Sequence, residues 1–360
     1  MTMCTSGCQP RKGSSAAERS APSLRFVIEK CFLGFWIAGG RVFEVNLVSG
    51  ASGFIGGRLL DALHADGLPC RSLSRKAVGL ADCVVADLAD TAALTVACDG
   101  VDAVFHCAGY AHAFASLKAN DAATHWRVNF EGTSNLLEAA GRAKVKRFVF
   151  LSSVKAMAEP GDVCVDEDFP GQPLTAYGQA KRAAEDAVIE AGQRYGMHVV
   201  NLRLAMVYGA GGQGNLERMG RIVGRGVFPP LPETANHRSL VHVDDVVSAI
   251  RLVVENNRAA GKTYIVASPY APSGRALFDA LRAVQGLPPC TWFVPEFILR
   301  SAARLGDGLE RVLKRRLLLD GEVVERLLGS AWYSPALIER ELDWSAKVSL
   351  VDGLSEMLHT

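Results

Sequence analysis

In the stretch LTAYGQAKRAAED (174–186) a tyrosine and a lysine, Tyr177 and Lys181, stand four apart among strong helix formers. Residues at that spacing are neighbours on one helix face. A tyrosine near pKa 10 is a poor base at neutral pH, but a lysine cation one turn away favours the tyrosinate. Such a pair suits proton exchange with a substrate alcohol or ketone. Taken alone, the spacing describes any helix face, so the chemistry depends on what other elements bring to it. Ser153 closes an apolar run, VKRFVFLSS (145–153), that reads as a strand ending shortly before this helix. Its hydroxyl is suited to hold the same substrate oxygen.

A second candidate site lies near the start of the folded pattern, in VFEVNLVSGASGFIGGRLLDALHADG (42–67). An apolar strand (45–49) runs into Gly50-x-x-Gly53-x-x-Gly56 and then into a helical pattern with Ile55, Leu59, Leu60 and Leu63 on one side. Glycines at a strand-to-helix turn let the backbone approach a pyrophosphate, whose charge the helix N-terminus stabilises. The context of strand before and helix after is what gives the spacing weight. The turn residues Gly50, Gly53, Phe54, Ile55 and Gly56 are therefore candidate dinucleotide contacts. The second strand ends in CRSLSRK (70–76), with Arg75 and Lys76 where an NAD site usually places an acid. A cation there accommodates the 2′-phosphate of NADP, so the expected cofactor is NADP, with tightly bound NAD as the alternative.

Further strand-like runs at CVVADLAD (83–90), VDAVFHCAG (101–109) and 145–153 are separated by helical patterns at 90–98 and 122–143. Strands that are apolar without alternation, interleaved with helices, specify an α/β fold built on a doubly wound parallel sheet of the Rossmann kind. Ligands of such sheets sit at the carboxyl ends of the strands. That rule gathers Gly50, Asp87, His106 to Gly109 and Ser152–Ser153 around one crevice.

Composition narrows the classes. Lys and Arg total 39 against 38 Asp and Glu, which gives no sign of a nucleic-acid surface. Nine cysteines are scattered with no CxxC pair or zinc spacing, so no metal site or disulfide framework is indicated. His106 and Cys107 are adjacent in sequence and would point to opposite faces of a strand, which disfavours a Cys/His nucleophile. His106 reads as a packed strand-end histidine. RVLKRR (311–316) reads as a solvated helix face. Residues 1–41 read as an N-terminal extension, disordered or a product of start-site choice. Their apolar run CFLGFWIAGG (31–40) is too short to span a bilayer, so no stable membrane insertion is expected.

The motifs GASGFIG, DL (87–88), VFHCAG, RVNFEGTSNLLEAA, RFVFLSSVKA, AYGQAK, LRLAMVYGAG and RSLVHVDDVVSAI appear in one order from about Val45 onward. In this the chain resembles the extended short-chain dehydrogenase/reductases, in their nucleotide-sugar epimerase, dehydratase and reductase branch. The resemblance implies a catalytic trio of Ser153, Tyr177 and Lys181, with Lys181 also on the nicotinamide ribose. It implies that Gly50, Gly53, Ile55 and Arg75 line the phosphates and adenosine. Asp87 and Leu88 would meet the adenine, and Ala108 and Gly109 the middle of the cofactor. Asn215, Leu216 and Arg238 match the family's uridine-diphosphate contacts. A homodimer through a four-helix contact, and a cytoplasmic enzyme, are also implied.

The chain departs from the family pattern at three points. SSVKAMAE (152–159) stands where many relatives have a tyrosine near the sugar, leaving Met157 there. No Asp-Glu pair follows Ser153, which disfavours dehydratase chemistry, and a late RxGD element is missing. The expected organisation is a dinucleotide domain over 42–207 and 240–268, with a smaller C-terminal substrate region over 208–239 and 269–350. The expected reaction is 4-keto reduction of a nucleotide-diphosphate sugar for surface polysaccharides. An NAD-dependent UDP-sugar 4-epimerase is the alternative, and a non-catalytic NADP-binding scaffold a more distant one.

Overall fold

The computed structural model describes residues 45–359, apart from 78, 80, 81, 111–119, 213, 303 and 305–320. The extension at 1–41 and the basic run 311–316 lie outside the described residues. The strands are β1 Asn46–Ser49, β2 Cys70–Ser74, β3 Cys83–Val85, β4 Ala103–His106, β5 Arg147–Ser153, β6 His198–Leu204, β7 Met206–Tyr208, β8 Leu240–His242 and β9 Lys262–Val266. Seven form one parallel sheet in the order β3-β2-β1-β4-β5-β6-β9, and β7 pairs with β8 in a separate parallel pair. The strand order reverses between β1 and β4, which opens the crevice where such sheets bind ligands.

The helices used below are α1 Phe54–Ala65, α2 Thr91–Cys98, α3 Asn120–His125, α4 Gly132–Arg142, α5 Ala176–Tyr195, α6 Asn215–Gly224, α7 Val243–Glu255, α8 Gly274–Val284 and α9 Leu350–His359. Period-two alternation sorts the strand residues onto two faces. Val48, Phe105, Val149, Leu151 and Val200 pack with Leu59 and Leu63 of α1 and Val246 and Ile250 of α7. Leu47, Val104, Phe148, Phe150 and Val199 pack the other way, with Leu94 of α2, Leu136 of α4 and Val188 of α5. Both faces are covered, which explains why the strands read as continuous apolar runs. A third cluster joins Tyr208, Leu216, Leu240, Leu277, Phe278 and Leu354 beyond the main sheet.

The pattern at 122–143 predicts one regular helix, but α3 passes into α4 through a π-helical turn, Trp126–Glu131. Such turns are frequent at functional sites. This one buries Asn129, whose amide holds both ends of one peptide segment, accepting from Tyr110 N–H at 2.8 Å and donating to Tyr110 C=O at 3.0 Å. The chain leaving β4 is thereby fixed beside α5.

Candidate active site

Helix α5 carries the tyrosine and lysine, and its start is closely specified. The Thr175 hydroxyl caps it, accepting the Gly178 N–H at 3.1 Å. A Cβ at Gly178 would stand 2.1 Å from the Lys155 carbonyl oxygen, so glycine alone lets the first turn sit against the short turn Val154–Ala156 that follows β5. Tyr177 is thus delivered to the end of β5, where its hydroxyl stands beside that of Ser153. The far end closes at Gly196, in the left-handed region at φ 67°.

Lys181, one turn on, is 4% exposed. Its ammonium donates to the Leu151 carbonyl at 2.8 Å and lies 4.6 Å from the centre of the Phe150 ring. Burial pulls Lys181 down to about 8, opposed by the negative charge of Glu185. Tyr177 departs from expectation. Burial pushes its hydroxyl above the usual tyrosine value, and the group that opposes this is Ser153, not Lys181. The cause is burial of the hydroxyl, while the lysine ammonium is engaged by the strand-end carbonyl and the phenyl face. Tyr177 therefore stands protonated at neutral pH.

The strand-end chain links this pair to the glycine turn. Gly50 has φ 71°, and a Cβ there would lie 2.6 Å from the Ala108 nitrogen. A Cβ on Gly56 would fall 2.3 Å from the Gly50 oxygen. Gly53 caps α1 without any side-chain hydrogen bond, so the first N–H groups of the helix remain available to an anion. This is the cradle a pyrophosphate requires, and the residues fit a dinucleotide. Gly109 follows, its Cβ direction meeting Lys181 Nζ at 3.5 Å and Asn129 Oδ1 at 3.2 Å. Gly50, Ala108, Gly109, Ser153, Tyr177 and Lys181 thus form one continuous region. Phe54 at the head of α1 lies near Gly212, whose Cβ direction meets its ring at 3.4 Å. Ile55 is half-buried and packs against the α1 face of the core.

Arg75 is exposed at the end of β2, and Asp87 is exposed beyond β3, accepting the Ala89 N–H at 3.0 Å. Leu88 packs under α4, where a Gly132 Cβ would meet it at 2.8 Å. Of the expected uridine-diphosphate positions, Asn215 and Leu216 lie at the start of α6, beside the third core cluster. Asn215 opens α6, and its Oδ1 is buried with no hydrogen-bond partner among the described residues. Leu216 is buried in that cluster, so its side chain is committed to packing and it can offer a ligand only its backbone. Arg238 pairs with Ala331 through its backbone, and its Nη1 lies 3.5 Å from the Gly329 oxygen. Met157 is buried in the core.

His106 is fully buried in a closed relay. Thr133 donates to the Asn129 carbonyl at 2.7 Å, so its oxygen accepts from His106 Nε2 at 2.9 Å. Nδ1 is then the acceptor for the Ser49 hydroxyl at 2.6 Å. Burial, assisted by the Lys181 charge, holds His106 down at about 3, a neutral packed residue. Cys107 faces the opposite core, and burial pushes its thiol up to about 12, which leaves it unreactive. Asn129 and the buried Glu185 were not singled out from the sequence. Both stand inside recognised segments, but their roles depend on a π turn and on a partner from another strand.

The profile of the NAD dependent epimerase/dehydratase family matches residues 46–267. The chain belongs to that family. It is an extended short-chain dehydrogenase/reductase and an NAD(P)-dependent enzyme. It is 28% identical over 321 residues to a UDP-glucose 4-epimerase of Vibrio cholerae, covering 86% of this chain and 93% of that one. It is 23% identical to a 2-alkyl-3-oxoalkanoate reductase of Shewanella oneidensis, covering 86% of this chain and 84% of the other. The fold is similar to MoeE5 in complex with UDP-glucuronic acid and NAD, with a TM-score of 0.69, 24% identity, and 88% and 97% of the two chains covered. No helix among the described residues is long and apolar enough to cross a membrane.

Proposed function

We propose that the protein reduces a 4-keto group on a nucleotide-diphosphate sugar with NADPH, in the cytoplasm, as a step of surface-polysaccharide precursor synthesis. The observation that favours the reductase is Arg75, exposed just after β2 where a cation accommodates the 2′-phosphate of NADP, with Ser153, Tyr177 and Lys181 gathered at the end of β5. When bound, the dinucleotide supplies the hydride. Gly50, Gly53, Phe54, Ile55, Gly56, Ala108 and Gly109 hold its phosphates and middle, Asp87 and Leu88 its adenine, and Arg75 the 2′-phosphate. Lys181 also meets the nicotinamide ribose.

Ser153 donates a hydrogen bond to the substrate carbonyl and polarises it. Tyr177 then gives its hydroxyl proton to that oxygen as the carbon becomes tetrahedral. The resulting tyrosinate is stabilised by Ser153 and by the Lys181 cation, and it regains a proton from solvent. Asn215, the backbone at Leu216, and Arg238 hold the diphosphate and base. The orphaned acceptor of Asn215 favours a ligand donor at that point. In this reading 42–207 with 240–268 bind the dinucleotide, 208–239 with 269–350 bind the sugar nucleotide, and two copies pair through a four-helix contact.

A second reading, a 4-epimerase that retains NAD and returns the hydride to the other face, is favoured by the Vibrio relative's coverage of nearly the whole chain. Denaturing the purified protein and quantifying released dinucleotide separates them. Near-stoichiometric NAD means the epimerase. An empty protein that binds NADPH far more tightly than NADH means the reductase.

A further inference from the structure

Three successive residues at the end of β5 each meet one of three residues spaced a turn apart on α5. The Leu151 carbonyl accepts from Lys181 at 2.8 Å, the Ser152 hydroxyl donates to Glu185 at 2.5 Å, and the Ser153 hydroxyl stands beside that of Tyr177. Tyr177, Lys181 and Glu185 share one helix face. The Glu185 rung has no part in the chemistry described above, although Glu185 is only 2% exposed. Its other contact is Arg203, the register partner of Ser152 on β6, with Nη2 at 2.8 Å and Nε at 3.1 and 3.2 Å. Arg203 is 4% exposed and also donates to the Glu167 carbonyl at 3.2 Å.

Burying two charges is costly, and an apolar pair of the same volume would hold α5 to the sheet as well. What the charges add is a field acting on the ammonium one turn away. We infer that Glu185 is a positioning residue that keeps Lys181 charged, and that Arg203 limits how strongly it does so. This rests on the reading that Tyr177 and Lys181 carry the proton transfer. Consistently, Glu185 is the foremost group raising Lys181 against its burial. Among the described residues, the other titratable groups facing Lys181 are Tyr177 on its own helix and His106 and Cys107 at the end of β4, while His125 of α3 stands against the Tyr177 ring. His106 is held at about 3 and Cys107 at about 12, so neither titrates with Lys181.

The test is the alkaline limb of the pH–rate profile in Glu185→Gln and Arg203→Gln. Glu185→Gln is expected to move the limb toward acid by about one pH unit and Arg203→Gln toward base. The same opposite order is expected in the pH dependence of Lys181 acylation by acetic anhydride, read by mass after proteolysis, which needs neither substrate nor cofactor. A merely structural pair would move both variants alike or neither, and that result overturns the inference. Ser152→Ala removes no charge and guards against loss of fold. Because Ser152 donates to the Glu185 carboxylate as Arg203 does, this variant is expected to shift the limb in the Arg203→Gln direction by less, and an unmoved limb or a shift toward acid counts against the inference. Turnover retained in Tyr177→Phe would instead overturn the underlying reading, leaving the acylation order to decide the role of Glu185.

Discussion

The Lys181 ammonium donates to the Leu151 carbonyl at 2.8 Å, which ties the middle of the α5 face to the last turn of strand β5. Because Ser153 is two residues further along that strand, the same contact sets where Tyr177 stands. The geometry of the proposed catalytic residues is therefore a property of how one helix registers against one strand end.

Lys181 titrates near 8 in the folded protein and from 10.5 in the unfolded chain. Between those values the unfolded chain binds the extra proton, so stability rises with pH in that window. Activity is expected to fall in the same window, because the tyrosinate loses its compensating cation. Measuring kcat and the unfolding free energy from pH 7 upward should show the two trends diverging, and Lys181→Met should flatten the stability trend.

His106 behaves in the opposite range. Its folded value near 3 lies below the ordinary 6.5, so the stability from burying the neutral ring is complete above 6.5 and lost as pH falls toward 3. Denaturant titrations across that range should show the loss in the wild type. His106→Asn should be less acid-sensitive and less stable at neutral pH by about 1–3 kcal/mol, since it breaks a buried relay.

Gly50→Ala places a Cβ at φ 71° and 2.6 Å from the Ala108 nitrogen. Gly67 has nearly the same φ, 70°, with nothing within 4 Å of its Cβ direction. Gly67→Ala is expected to cost only the backbone strain, about 1 kcal/mol. Gly50→Ala should cost more and weaken dinucleotide binding at least tenfold by calorimetry. Equal behaviour of the two variants would remove the cradle from the account.

Asn129→Ala leaves the Tyr110 N–H and C=O without the amide that holds them. A loss of about 1–3 kcal/mol is expected, with a lower kcat from looser packing beside Lys181. Thermal unfolding and steady-state kinetics on the purified variant check both.

The sheet was legible in the sequence because parallel strands buried on both faces leave unbroken apolar runs, as at 145–153 and 101–109. Tyr177, Lys181 and the glycine turn were legible because their spacing is local. The π turn at Trp126–Glu131 was not, since no residue type in 122–143 marks where a helical turn widens. Glu185 stood in the same quoted stretch as Tyr177, but its meaning comes from Arg203, eighteen residues away on another strand. Leu216 shows a similar limit, because spacing could not tell a ligand contact from a core side chain. The raised Tyr177 comes from its burial, which only the three-dimensional packing reveals.

The most direct test of the account is hydride transfer by wild-type protein and Tyr177→Phe, each supplied with NADPH and a panel of 4-keto nucleotide sugars. The account predicts turnover in the wild type and a loss of about 10²–10⁴-fold in Tyr177→Phe, with NADPH binding unchanged. Turnover in Tyr177→Phe within a few-fold of wild type would contradict it.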